Sequence, residues 1–277
     1  MKFKVIDNFI DKTMCNELIE DAKKHCQNDH IEVLNKRLLL ASTSEPFTNL
    51  LKRSKAWNIF HNRLNSQEFL SETLNYLDCD NKMFHISNFF FKKDYSKFHK
   101  KFKNIGSKKI VNVSILGLIF FIFYKIYRNF LRIIKYKFSK QKYVELLYDY
   151  SKSPNGYYRE IHRDTDSRTV VFLLYLNELS PDASGGELCF YKYKHDNKKI
   201  PPQPHNNDCQ IIKTIPPLPG RMVVFLNSND SLHSVNVMQN HNEYRHFIYG
   251  SFTLLGKKNS LIFNSSKKLK TNFNLLD

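Results

Sequence analysis

The sequence predicts an α+β protein whose mainly β core is an antiparallel sandwich or barrel of the jelly-roll kind. Three observations point there. From residue 144 onward, short runs rich in β-branched and aromatic residues alternate with turn residues: ELLYDYS, SPNG, YYREIHRD, TVVFLLYLNEL, SPDASGG, ELCFYKY, then GRMVVFLN, SLHSVNVM and YRHFIYGSFTLL. Seven or eight such strands with regular turns are the pattern of that architecture. Before residue 80 the apolar spacing is helical instead. Finally, 277 residues with 42% hydrophobic and 14% aromatic content can bury a substantial core.

Taken in order, MKFKVIDNFIDKTMCNELIEDAKK carries no apolar signal-peptide core. It reads as a short strand from Phe3 to Val5, then a helix capped by Asp11 with Met14, Leu18, Ile19 and Ala22 on its apolar face. Helical patterns lie near 12–28, 46–64 and 66–78, with Trp57 as ordinary core, and FHISNFFF at 84–91 reads as a strand. The expected organisation is a helical and strand support region over 1–91, a basic apolar insert over 92–143, a β-rich core over 144–255 and a polar, lysine-bearing tail over 256–277. Within the core, 194–219 is a polar, proline-bearing connection. No internal repeat is visible. The five cysteines (15, 26, 79, 189 and 209) are odd in number and form no CxxC or zinc-finger spacing. They argue for a reducing, cytoplasmic compartment and against a disulfide framework.

The net charge of +17 invites a nucleic-acid reading, so its location matters. Thirteen lysines, two arginines and a single acid, Asp94, fall within 91–143, which leaves the rest of the chain close to neutral. At its centre this segment is apolar, IVNVSILGLIFFIFY over 110–124, followed by KIYRNFLRIIKYKF. As a helix, the apolar run reaches roughly 22 Å, short of a hydrocarbon core of roughly 30 Å. Extension through Ile134 would require Lys125, Arg128 and Arg132 to snorkel. Three placements stay open: a helix on the protein's own surface, a helix resting on an anionic membrane through 108–139, and a true span. Nucleic acid ranks last, because it leaves Ile115 to Phe123 unexplained.

The chemistry-bearing residues lie in REIHRDTDSRTVVFLLYLNEL, 159–179. His162 and Asp164 are two residues apart, one pleat from each other on a strand, and His233 sits on a later strand. Two imidazoles and one carboxylate on one side of a metal make a facial triad that suits Fe(II) and leaves three positions open. Asp166 lies a further pleat away and reads as a turn cap.

With these residues in place, the chain resembles the prolyl-4-hydroxylase-like branch of the 2-oxoglutarate- and Fe(II)-dependent dioxygenases. The matching stretches are YSKSPNGYYREIHRD (150–164), VVFLLYLNEL (170–179), GGELCFY (185–191), PGRMVVFLN (219–227), the histidine of SLHSV (231–235) and YRHFIYGSF (244–252), with VIDNFIDKTMCNELI similar to that family's opening strand and helix. The resemblance implies a double-stranded β-helix and Fe(II), 2-oxoglutarate and O₂ as cofactors, with ascorbate as an accessory. It also implies hydroxylation coupled to conversion of 2-oxoglutarate into succinate. Residue by residue it makes His162, Asp164 and His233 the iron ligands, with no catalytic group beyond them. It places Arg245 on the far carboxylate of 2-oxoglutarate, a role suited to a bidentate guanidinium, and Tyr150 as a hydrogen-bond donor to the same molecule. Arg245, Phe247, Tyr249 and Ser251 share one strand face. The insert has no counterpart in the family pattern. Position 251 is Ser where nucleic-acid demethylases of the superfamily carry a second arginine. The substrate stays open among peptidyl proline, an amino acid, a lipid and a glycan. The rival readings are a non-catalytic module and a cupin-like sugar-modifying enzyme, each on a jelly roll tied to membrane or glycan metabolism.

Other residues read more plainly. His195, His205 and His241 fall in polar loops and read as solvated. His246 faces away from Arg245 and reads as packing or surface, and Gly185 and Gly186 serve a turn or bulge. One of Tyr157 and Tyr158 should point inward. If 110–138 rests on a membrane, the full chain binds anionic vesicles and loses part of that binding as salt rises, at about 1 kcal/mol per basic residue near the surface. Deleting 108–139 then releases it. A co-sedimentation assay with no vesicle binding at any salt removes the membrane placement.

Overall fold

A computed structural model describes residues 1–26, 32–34, 37–79, 84–86, 142–166, 168–195 and 199–254. The apolar insert, most of FHISNFFF and the C-terminal tail therefore lie outside the described residues. Among those described, no helix is long and apolar enough to cross a membrane.

Strand β1 (Phe3–Ile6) leads into helix α1 (Lys12–His25). The Asp11 carboxylate accepts a hydrogen bond from the Met14 amide at 2.7 Å, satisfying one of the free amides of the first turn. Cys15, Leu18, Ile19 and Ala22 are buried, on the i, i+3, i+4, i+7 spacing of one helix face. The single pattern expected over 46–64 is two helices, α2 (Glu45–Arg53) and α3 (Lys55–Leu64). They break at Ser54, whose extended backbone ends the first helix and whose hydroxyl accepts from the Trp57 amide at 3.0 Å to start the second. Both helices put apolar residues on the core side, so the apolar spacing runs on through a break that only the cap marks. Helix α4 (Gln67–Tyr76) starts in the same way from Ser66.

The region before residue 91 also contributes strands that its composition did not announce: β2 (Glu32–Leu34) and β3 (Arg37–Ala41). A five-residue run such as RLLLA is too short for its period to separate strand from buried helix. Here β3 is drawn into the sheet by pairing with the later strand β5. Strand β4 (Phe84–Ile86) pairs in parallel with the start of the same strand.

The β-rich core comprises β5 (Lys142–Ser153), β6 (Arg159–His162), β7 (Arg168–Tyr175), β8 (Leu188–Tyr193), β9 (Cys209–Ile215), β10 (Met222–Leu226), β11 (Leu232–Val235) and β12 (Arg245–Leu254). One sheet runs in the order β1-β10-β7-β12-β5-β3-β2, with β4 also on β5, and the other in the order β6-β11-β8-β9. Antiparallel strands thus alternate between two facing sheets, the double-stranded β-helix form of the jelly roll. Strand β9 falls within the connection expected over 194–219. Its five central residues are exposed and, among the described residues, it pairs on one side alone, with β8, so this edge strand shows no apolar alternation to read.

The larger sheet is apolar on both faces. Phe172, Leu174, Val224, Ile248 and Phe252 pack under the helices, while Val171, Leu173, Tyr175, Phe225 and Phe247 meet Leu188, Phe190 and Ile215 of the smaller sheet. Trp57 anchors the helix layer: its ring is fully buried, stands edge-on to Tyr150 at 5.4 Å, and its indole N–H donates to the Leu18 carbonyl at 2.8 Å.

Gly250 of β12 lies under the Phe172 ring, where an added Cβ would come within 2.2 Å of Cζ. That ring is itself held by Phe69 at 5.4 Å. Gly250→Ala should therefore cost about 1–3 kcal/mol of stability through overpacking. Chemical denaturation followed by circular dichroism measures it, and an unchanged midpoint would show that the ring has room to move.

Candidate metal centre

His162 ends β6 and His233 lies on β11. The two are direct partners in the antiparallel register, so their rings stand side by side with centroids 4.3 Å apart. Asp164 lies just past the end of β6, in the following turn, and not one pleat along it as the spacing suggested. One nitrogen of each histidine and one oxygen of Asp164 all fall within 4.8 Å of one another.

The surroundings orient each group. His162 Nδ1 lies 2.8 Å from the Glu160 carbonyl and His233 Nδ1 lies 2.9 Å from the Ser231 carbonyl. A carbonyl can only accept, so each Nδ1 carries the proton and each Nε2 keeps its lone pair. The Phe225 ring packs on His233 at 4.9 Å and fixes its tilt. Asp164 is buried, and its Oδ1 accepts from the Tyr249 hydroxyl at 2.9 Å and from Arg168 Nη1. Its Oδ2, 3.7 Å from His233 Nε2, is buried without a hydrogen-bond partner among the described residues. An orphaned carboxylate oxygen facing two imidazole lone pairs fits a divalent cation, and the mixed N/O donor set suits Fe(II).

Electrostatics favours the same form. Burial pushes the His162 imidazole down to about 3, helped by the adjacent His233 ring, so it stays neutral. Burial works to raise the Asp164 carboxyl, but the His233 ring, the Arg168 guanidinium and the Tyr249 hydroxyl outweigh it and hold the group below its ordinary range.

The triad opens into a cavity of about 810 Å³ between the sheets. Arg245, fully buried, lines it from β12. One Nη donates to the Gly186 carbonyl, and the guanidinium lies 5.4 Å from the Tyr157 ring and 5.0 Å from the Phe247 ring. It makes no ion pair among the described residues, and its Nε has no hydrogen-bond partner there. Beside it, the Tyr175 hydroxyl and the hydroxyl of Ser153, the register partner of Arg245, are also buried without partners among the described residues. A buried cation with unsatisfied donors around it is costly unless an anion joins them.

Tyr150 is not part of this corner. Its side chain leaves the other face of β5, packs against Trp57 in the helix layer, and its hydroxyl meets His246 Nδ1 at 2.6 Å. Strand parity accounts for this: Ile248, its partner on β12, belongs to the helix-side core, whereas Phe247 and Arg245 face the cavity. His246 is accordingly buried packing. Of the adjacent tyrosines, Tyr157 points inward and Tyr158 is exposed. Asp166 stays outside the triad, exposed and paired with Arg163 at 3.2 Å. His195 pairs with Asp208 at 2.8 Å and His205 is exposed, but His241 is buried, and its Nδ1 accepts from the Ser180 amide at 3.1 Å.

Several cavity residues carried no sequence signal. Arg37 arrives from β3, pairs with the half-buried Asp149 at 3.4 Å and lies 5.2 Å from the Tyr249 ring. Tyr249 was legible as a member of a strand and Arg168 was not, and their joint hold on Asp164 depends on β7 and β12 being neighbours. Arg159 and Arg163 line the mouth.

Residues 146–252, which span β5 to β12 and contain all three triad members, match the family model of the 2OG-Fe(II) oxygenase superfamily. Solved structures similar to the chain include a Pseudomonas putida prolyl-4-hydroxylase, at 14% identity and a TM-score of 0.44 over 91% of this chain and 92% of that one. A Phytophthora capsici prolyl 4-hydroxylase is similar at 15% identity and a TM-score of 0.46, over 91% of this chain and 58% of that one. A viral collagen prolyl hydroxylase from Paramecium bursaria Chlorella virus-1 is similar at 12% identity and a TM-score of 0.40, over 93% and 91%. No curated protein gives a significant sequence match. The stretch that matches the 2OG-Fe(II) oxygenase superfamily, named for Fe(II) and 2-oxoglutarate, is thus the β-rich part of the chain that holds the His–Asp–His cluster.

Proposed function

We propose that the protein hydroxylates a C–H bond of a second substrate while 2-oxoglutarate is converted to succinate and CO₂. His162, Asp164 and His233 are the ligands of Fe(II) in this reading, and Arg245 receives the far carboxylate of 2-oxoglutarate. The observation that carries it is the pairing of a buried His–Asp–His cluster, with its ligand atoms unengaged, and a buried arginine that lacks an anionic partner among the described residues. A non-catalytic or cupin-like module would need no buried cation here.

When bound, the iron supplies the oxidising chemistry, by reacting O₂ with 2-oxoglutarate. The chain's own contribution is placement. The two backbone carbonyls hold the imidazoles in the tautomer that leaves Nε2 free. Arg168 and Tyr249 occupy Oδ1 of Asp164, so Oδ2 is the oxygen left for the metal. Arg245 sets the depth and direction of the cosubstrate, and the apolar wall of Leu173, Leu188 and Phe247 keeps water from the space between.

His162→Ala, Asp164→Ala and His233→Ala should each abolish Fe(II) binding and succinate formation, whereas Asp166→Ala should retain both. Equal loss in all four would remove Asp164 from the ligand set. In parallel, Arg245→Ala should weaken 2-oxoglutarate binding by about 2–5 kcal/mol, and Arg245→Lys should recover part of that, since the charge survives without the fork. Tyr150→Phe should leave cosubstrate binding unchanged while lowering stability by about 1 kcal/mol for the lost hydrogen bond to His246. Calorimetric titration of 2-oxoglutarate reads all three variants, and normal affinity in Arg245→Ala would take Arg245 out of the site.

A further inference from the structure

We infer that the substrate brought to this site carries a carboxylate, and that Arg159 at the cavity mouth receives it. The inference rests on the function proposed above, because it assigns Arg245 to the cosubstrate.

Five arginines line the cavity: Arg37, Arg159, Arg163, Arg168 and Arg245. Three of them already have a carboxylate: Arg37 has Asp149, Arg163 has Asp166, and Arg168 has Asp164. Both acids that line the cavity, Asp164 and Asp166, are thereby engaged. With Arg245 given to 2-oxoglutarate, Arg159 is the remaining arginine of the lining whose guanidinium has no ion pair or hydrogen bond among the described residues. It is half-buried, so its charge is only partly screened by water.

Its direction comes from an irregularity in the strand pair. On β11, His233 and Val235 are two apart and share a face, and their partners on β6 are His162 and Arg159, which are three apart. Regular alternation would send residues three apart to opposite faces. The extra residue of this bulge turns Arg159 to the side of His162, and Val235 and Arg159 both line the cavity. Pro201, Pro202 and Gln203 add a neutral part of the lining, tied down by the Arg163 amide donating to the Pro202 carbonyl at 2.8 Å. A guanidinium held at the rim of a cavity whose acids are already paired selects a carboxylate, by bidentate hydrogen bonding, over a neutral or cationic group.

The test uses the full chain loaded with Zn(II) in place of iron and with saturating 2-oxoglutarate, so that Arg245 is occupied and no turnover occurs. Two hexapeptide pools carrying a neutral dye, one with glutamate at two fixed positions and the other with glutamine there, are titrated by fluorescence anisotropy. The glutamate pool should bind more tightly by roughly tenfold or more, the scale of a part-buried charge-assisted pair. Arg159→Gln should abolish the difference, and Arg159→Lys should keep part of it, with unaltered melting temperatures showing that both variants fold. N-acetylglutamate is then added as competitor. Displacement at concentrations similar to the peptide's own identifies a small free acid as the substrate source, and failure to displace identifies an acidic polypeptide; either supports the inference. Equal affinity for the two pools, binding of neither, or a preference that survives in Arg159→Gln overturns it. Wild-type protein that binds Fe(II) and forms succinate yet fails this titration sinks the carboxylate inference alone. Protein that does neither sinks the reading beneath it.

Discussion

The antiparallel pairing of β6 with β11 is the contact on which the site depends. It sets His162 directly opposite His233 and places two imidazoles at the spacing a single ion requires. A slip of one residue would send one ring into the apolar layer formed by Ile161 and Leu232, because side chains alternate faces along a strand. That layer and the Phe190–Phe225 contact on the cavity side together resist such a slip. The register is therefore held by apolar burial on both faces of the smaller sheet, and the polar chemistry inherits its precision from that.

Around the triad, order among the charges does as much as their number. A cavity with five arginines would repel its own folding unless most were neutralised locally. Three are: Arg37 by Asp149 of the adjoining strand β5, and Arg163 and Arg168 by Asp166 and Asp164 of the turn between β6 and β7. Asp164 serves twice, holding Arg168 and Tyr249 with one oxygen and leaving the other towards His233. Burial strengthens each of these contacts, since water is not there to compete. The same burial makes Arg245, whose Nε has no partner among the described residues, costly to hold without an anion.

The helices matter to the site at one remove. They cover the outer face of the larger sheet, and Trp57, Tyr150 and His246 form a stacked and hydrogen-bonded seam between helix and sheet. With that face sealed, alternate residues of β12 are committed to the cavity, which is why Arg245, Phe247 and Tyr249 appear there together. Strand β3 extends the larger sheet beside β5 and delivers Arg37, so the support region supplies a cavity residue as well as a buttress.

Much was legible in the residues themselves. The β-rich runs with regular turns, the His162–Asp164 spacing near a strand end and His233 on a later apolar strand are local patterns, and local patterns survive in a linear reading; Arg245 was singled out through the family resemblance. The helix caps at Asp11 and Ser66 are likewise properties of a few consecutive residues. What the tertiary structure decided was direction and partnership. Tyr150 has the right residue type and the right neighbourhood, but parity counted from Ile248 turns it to the helices. Arg159 has the wrong parity relative to His162, yet a bulge turns it to the cavity. β9 went unseen because an edge strand with an exposed centre has no alternation, and His241 is buried by Ser180, a residue remote in sequence. The reason is the same in each case. Periodicity records which residues avoid water, whereas register, bulges and the covering of a face are settled by segments far apart in the chain finding their partners.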